Sequence, residues 1–264
     1  MSFDPTAVPD VVAAWRTQNW ALVELVRDAD LDTPVPTCPG WTLRQLATHV
    51  GRGDRWAATM VAQRAETVVD PRSVADGKPP AGRVEAWLAA GVDLLAGAVA
   101  EVGADSPVWT FTGRQPSAWW LRRRLHEALV HRADAALAVG APFEVPAAVA
   151  ADAVSEWLTL VAARPAGEEP LLPDGATMHL HATDGADARS AGPRHGDPGA
   201  AGEWMVRPSG NAVTWEPGHA KGSVAVRGPA ADLLLVLYRR LPVDRVEVLG
   251  DAAVLETWLV RTDF

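Results

Sequence analysis

Apolar residues recur at three- and four-residue steps through the first half of the chain. Val8, Val11, Val12, Trp15, Leu22, Leu25 and Val26 follow that rhythm and predict a helix over 8–28. Thr42 has Gln45 three residues on, the pattern of a capping box. Leu43, Leu46, Ala47 and Val50 then fall at i, i+3, i+4 and i+7, so a second helix is expected from Thr42 to about Ala65. Between the two, Thr33-Pro34-Val35-Pro36-Thr37-Cys38-Pro39-Gly40 reads as a rigid linker, because its prolines fix φ and lack donors. A loop containing Pro and Gly runs from Asp70 to Gly82. Helices are expected over about 83–101 and 117–139, the latter stopping before Gly140 and Pro142. Pro146 suits the first turn of a fifth helix over about 146–163.

After Arg164-Pro165 the period changes from helical to two. Met178, Leu180 and Ala182 alternate with His179 and His181, as in a strand. Residues 184–202, rich in Gly, Ala, Asp and Pro, read as a mobile loop. Glu203–Arg207 and Ala212–Glu216 read as strands around the turn Pro208-Ser209-Gly210-Asn211. A strand over Ser223–Arg227, a helix from Gly228-Pro229 to about Arg240, a strand over Val246–Leu249 and a helix over Asp251–Val260 complete the pattern. The expected architecture is a helical bundle, residues 1–146, followed by a small α+β domain, residues 147–264. The boundary falls between 146 and 170.

Composition narrows the function classes. The chain has 264 residues and a formal net charge of −9, which argues against a nucleic-acid footprint or attraction to anionic membranes. Its longest apolar run, 86–100, is interrupted by Asp93 and falls short of a membrane span. The N-terminus has neither the basic nor the apolar region of a signal peptide. One cysteine, Cys38, permits no intrachain disulfide and no thiol-rich metal site, which fits a cytoplasmic protein. The only lysines, Lys78 and Lys221, sit beside Pro or Gly in expected loops, poor places for a Schiff base. The segment 184–202 holds no phosphate or dinucleotide motif.

The most informative stretch is His126-Glu127-Ala128-Leu129-Val130-His131-Arg132-Ala133-Asp134. It is one residue longer than the metalloprotease motif. At about 100° per residue, His126 and His131 point about 140° apart, whereas Glu127 and His131 share a face one turn apart. Glu127 and His131 are thus the pair able to share a metal, with Asp134 placed to orient His131 and Arg123 placed to pair with Glu127. A salt-bridged, solvated face explains the same spacing, as it does the run Arg122–Arg124. A third ligand is needed for a catalytic zinc. His49, on the flank of the second helix's apolar stripe with Gly53 leaving space and Trp56 offering an apolar wall, is a candidate or simply a packed histidine. Cys38 and His126 read as structural. His179 and His181 share a strand face without an evident third ligand. Trp119-Trp120 belong to the core or to a pocket mouth.

Cys38-Pro39-Gly40-Trp41-Thr42 with His49, and Arg122-Arg123…His126-Glu127…His131-Arg132…Asp134, resemble the two signatures of the mycothiol-dependent maleylpyruvate isomerase family. His179-Leu180-His181-Ala182-Thr183-Asp184, Val226-Arg227-Gly228-Pro229-Ala230-Ala231-Asp232-Leu233 and Leu249-Gly250-Asp251 are similar to its second domain. The resemblance implies a DinB-like four-helix bundle with a sterol-carrier-like α+β domain. It also implies a divalent metal, usually zinc, on His49, Glu127 and His131, and mycothiol as the thiol cosubstrate. An arginine of the second domain is implied near the substrate; Arg227, Arg239 and Arg240 are candidates, with Arg227 preferred.

The reading is therefore a cytoplasmic, zinc-dependent, mycothiol-using isomerase or transferase, monomeric or homodimeric, acting on a small carboxylate or other electrophile. Two other readings stand beside it: a binding module with a structural metal, and a metal-dependent hydrolase using Asp134 or His126 as base.

Overall fold

The structure is a computed structural model that describes residues 8–184 and 202–262. They fall into two compact units that divide between Phe143 and Glu144. The loop expected over 184–202 lies, from 185 to 201, outside the described residues.

The first unit contains four long helices: α1 (Val8–Arg27), α2 (Leu43–Ala62), α3 (Val84–Val102) and α4 (Trp119–Val139). α1 packs on α3 and α4, and α2 packs on the same two helices. The capping box at Thr42 is formed: its side chain accepts from Gln45 N, and its own N–H donates to Gln45 Oε1 at 2.8 Å. The stripe Leu43, Leu46, Ala47 and Val50 is fully buried, each large side chain contributing roughly 1.5–3 kcal/mol. The linker is a tight reversal. Trp41 N–H donates to Cys38 O at 3.0 Å across Pro39 and Gly40, and Gly40 takes φ +80°, as position i+2 of a type II turn demands.

Two differences from the sequence expectation have simple causes. α2 ends at Ala62 rather than near Ala65, with Arg64 at φ +48° closing it. A hairpin absent from the expected pattern joins α3 to α4: β1 (Pro107–Thr110) pairs antiparallel with β2 (Gly113–Pro116). Its four-residue strands are too short, and β2 too polar, to show an alternation. The hairpin carries Trp109 and Phe111 onto Trp56, Trp119 and Trp120, whose rings lie 5.0–6.5 Å apart at mostly steep angles.

The second unit begins with α5 (Ala147–Ala162). Its sheet comprises β3 (Met178–Ala182), β4 (Glu203–Ser209), β5 (Ala212–Pro217), β6 (Val224–Gly228) and β7 (Glu247–Gly250), in the order β5-β4-β3-β6-β7. Only the β3–β6 pairing is parallel. The β4–β5 turn is tighter than expected, with Gly210 at φ +60° supplying its left-handed position. α6 (Ala230–Leu237) packs on β3 and β6, and α7 (Ala252–Arg261) on β6. α6 stops before Arg240 because Arg239 turns to φ +58°. Trp204 Nε1 donates to Ser155 Oγ at 2.9 Å, tying β4 to α5 inside the core. No helix among the described residues is long and apolar enough to cross a membrane.

Candidate metal centre

α4 is buried around most of its circumference, so the charges along it do not form a solvated face. Arg124 is 5% exposed and Asp134 is fully buried. Arg124 Nε donates to Asp54 Oδ1 at 2.7 Å and its Nη2 to Val50 O at 2.9 Å, both on α2. Its guanidinium fills the space beside Gly53, where a Cβ would come within 2.7 Å of Nη1. The room left by Gly53 is therefore taken by Arg124.

On this frame α2 and α4 bring three donors together. His49 Nε2 lies 3.6 Å from Glu127 Oε2, and His131 Nε2 lies 3.5 Å from the same oxygen. The two imidazoles meet edge to face at 4.9 Å. Donors around a tetrahedral ion at ~2.0–2.1 Å are about 3.3–3.4 Å apart, so the trio has the spacing and the N/O chemistry to hold a divalent metal. His49's pKa is lowered to about 3, first by burial and then by the positive neighbours His131, Arg124, Arg52 and Arg123. A neutral ring with a free lone pair is the form a metal needs.

The other side of His131 is fixed. Its Nδ1 lies 2.9 Å from Asp134 Oδ2, which leaves Nε2 to face Glu127. Thr37 Oγ1 donates to Asp134 Oδ1 at 2.6 Å and Cys38 Sγ to Oδ2 at 3.4 Å. Burial alone would lower the pKa of His131; the Asp134 carboxylate and Cys38 outweigh it and raise the value. Cys38, His131 and Asp134 form a second donor group, which shares His131 with the first and includes the Asp134 carboxylate bonded to Nδ1. Arg123 Nη2 donates to Glu127 Oε1, and Arg124 Nη1 stands 3.4 Å from Glu127 Oε2.

A cleft of about 520 Å³ opens beside His49. Trp41 forms part of its wall and packs its ring 4.9 Å from His49 and 6.4 Å from His131. Arg44, Arg52 and Lys78 line it with positive charge, Arg44 being paired with Asp32. The sequence reading passed over Trp41, Arg52 and Lys78 as individual contributors. Arg52 had a signal, since it follows His49 by three residues and so shares its helix face.

Trp56 packs in the aromatic cluster with Trp109, Phe111 and Trp120, and its Nε1 donates to Val69 O at 2.7 Å. Trp119 and Trp120 are buried in the same cluster, and His126 is 1% exposed. The second unit holds the arginine candidates. Arg227 Nη1 donates to Glu247 Oε2 at 3.1 Å, Arg239 Nη1 to Leu259 O, and Arg240 Nη1 to Tyr238 O at 2.8 Å.

Comparison with known proteins adds to this geometry. Residues 12–136 match the family described as the mycothiol maleylpyruvate isomerase N-terminal domain, and residues 148–257 match its C-terminal domain. Among solved structures, a crystal structure of mycothiol-dependent maleylpyruvate isomerase aligns with a TM-score of 0.57 at 15% identity, covering 91% of this chain and 92% of that one. A histidine-to-alanine mutant of that enzyme aligns with a TM-score of 0.56 at the same identity and coverage. At this identity the likeness speaks to fold. No curated protein matches the chain.

Proposed function

The chain belongs to the mycothiol-dependent maleylpyruvate isomerase family, and from that premise we propose that it is a zinc-dependent, mycothiol-using enzyme. It adds the thiol to an electrophilic small molecule, as an isomerase or a thiol transferase. The observation that carries the proposal is the convergence of His49, Glu127 and His131 at ligand spacing beside a positively lined cleft. In this reading residues 1–146 are a DinB-like metal-binding bundle and residues 147–264 a sterol-carrier-like domain. A cytoplasmic setting agrees with the single cysteine.

His49, Glu127 and His131 would hold the metal, and Asp134 would keep His131 in the Nδ1–H tautomer. When bound, zinc would supply the positive charge that converts a coordinating thiol of pKa ~8.5 into thiolate at neutral pH. The protein's own residues then bind and orient. Arg52 and Lys78 offer cations for the carboxylate of an unsaturated acid, Arg52 with a fork suited to bidentate pairing. Trp41 packs against the two imidazoles from the cleft wall and would bound the space a substrate enters. For an isomerase, thiol addition turns the conjugated double bond into a single bond, rotation follows, and elimination restores the double bond.

The hydrolase reading loses its base. Asp134 is committed to His131, Thr37 and Cys38, and His126 is buried in α4. The test is to assay zinc-loaded protein with mycothiol against a panel of unsaturated acids and other electrophiles. Turnover that requires both the thiol and zinc, and disappears in His49→Ala, is expected. Thiol-independent turnover, or none with zinc bound, would count against the proposal.

A further inference from the structure

A second set of metal-binding side chains lies on the sheet of the second unit. His179 and His181 stand two apart on β3 and so project from one face, opposite the buried Met178, Leu180 and Ala182. Sequence alone offered no third donor beside them. The fold supplies two. Glu203 opens β4 directly across from His181, which puts its carboxylate on the same face. His219 follows β5, where the backbone is held by Gly218 N–H donating to Glu203 O at 3.0 Å.

Three imidazoles converge on the Glu203 carboxylate. His179 Nε2 is 3.2 Å from Glu203 Oε2, His219 Nδ1 is 2.6 Å from the same oxygen, and His181 Nε2 is 3.7 Å from Oε1. The His179 and His219 rings meet edge to face at 4.9 Å, and those of His179 and His181 lie 6.0 Å apart. Donor atoms of His179, Glu203 and His219 all fall within 4.8 Å of one another. Hydrogen bonding accounts for two of the imidazoles, but at 3.7 Å His181 is beyond hydrogen-bond reach of the carboxylate. A cation would draw on His179, Glu203 and His219, whose donor atoms lie together, with His181 standing beside them.

We propose that His179, Glu203 and His219 form a second divalent transition-metal site, of the zinc type, with His181 next to it on the same strand face. Imidazole nitrogens with one carboxylate suit zinc and its first-row neighbours rather than calcium or magnesium. The ligands come from β3, the start of β4 and the segment after β5, so an ion there fastens three pieces of chain that backbone pairing joins only in part. His219 is 74% exposed at its side chain, which gives an ion a path in.

The test uses the full chain, stripped of metal and titrated with Co²⁺ or Zn²⁺, with elemental analysis after desalting and the Co²⁺ ligand-field spectrum as readouts. In a His49→Ala/His131→Ala background the site predicts one ion retained per chain and a rise in thermal midpoint on loading. Adding His219→Ala, an exposed position whose loss leaves the fold intact, removes that ion; Glu203→Gln does the same with near-isosteric geometry. The proposal is overturned if the background variant binds no ion, as a purely hydrogen-bonded cluster would behave. Retention of the ion through both added substitutions overturns it equally. Failure of the α2–α4 centre would look different: the wild-type chain would hold one ion, and His219→Ala alone would remove it.

Discussion

Asp134→Asn separates a carboxylate that tunes a metal ligand from one that only fills the core. Asp134 is fully buried and receives Thr37 Oγ1 at 2.6 Å, His131 at 2.9 Å and Cys38 Sγ at 3.4 Å. Asparagine keeps the volume and one acceptor oxygen for His131 Nδ1–H, while its amide group can donate to a reoriented Thr37 hydroxyl. The fold therefore loses about 1–3 kcal/mol. What disappears is the negative charge behind the imidazole, which raises its basicity as a ligand. Loss of such a partner lowers metal affinity by about 10–100-fold, or about 1.4–2.7 kcal/mol. Competition of the purified variant against a zinc chelator measures the affinity, and thermal unfolding of the metal-free form checks the fold. A variant that holds zinc as tightly as the wild type, while Glu127→Gln is weakened, would refute the reasoning and reduce Asp134 to a packing residue.

Gly53→Ala drives a Cβ to within 2.7 Å of the Arg124 guanidinium and so strains the Asp54 pair; a loss of ~1–3 kcal/mol in denaturant unfolding is expected. Arg52→Ala and Lys78→Ala each remove a cation from the cleft beside His49, and a roughly tenfold rise in KM for an anionic electrophile with little change in kcat is expected from steady-state kinetics. His49's folded pKa of about 3 lies below its unfolded value, so the unfolded chain binds more protons across the interval between them. In the metal-free protein that contribution to stability is whole above the unfolded value and is lost as pH falls toward 3. His49→Gln should flatten this acid-side slope in unfolding measured against pH; an unchanged slope would assign it to other groups.

The long helices were legible because their apolar rhythm and caps are local. Thr42 with Gln45 and the stripe from Leu43 to Val50 state both where α2 starts and which way it faces. Glu127 and His131 were legible as a pair for the same reason, since four residues on a helix fix a shared face. His49 was legible only as one of two alternatives, a ligand or a packed histidine, because residue spacing does not say which flank of α2 meets α4. The charges on α4 were open to misreading. Arg124 looks solvated in a run of three arginines, and only the packing of α2 reveals Asp54 and the gap over Gly53 that receive it. The β1–β2 hairpin failed for want of length. The cleft cations were invisible for another reason: Lys78 reaches the cleft from a loop, and no periodicity encodes a loop's path. His179 and His181 are the same case in a sheet, where the partners Glu203 and His219 arrive through strand pairing 22 and 38 residues downstream.

The place of Cys38 agrees with the proposal that the reactive sulfur comes from outside the protein. The turn Cys38-Pro39-Gly40-Trp41 delivers its Sγ to Asp134, on the Nδ1 side of His131, while the lone pair of Nε2 faces Glu127 and His49. An imidazole's two nitrogens point in divergent directions, so a thiol hydrogen-bonded behind one is turned away from an ion held at the other. The same turn sets Trp41 against His49 and His131 in the cleft wall. The one motif thus does two separable things. Thr37 and Cys38 anchor the carboxylate that orients a ligand, and Trp41 shapes the space in which a second thiol would have to approach. A protein thiol serving as fourth ligand would close the proposed centre; with Cys38 bonded to Asp134 instead, a metal on His49, Glu127 and His131 would have room for a thiol cosubstrate, and the cations Arg52 and Lys78 line the cleft beside His49.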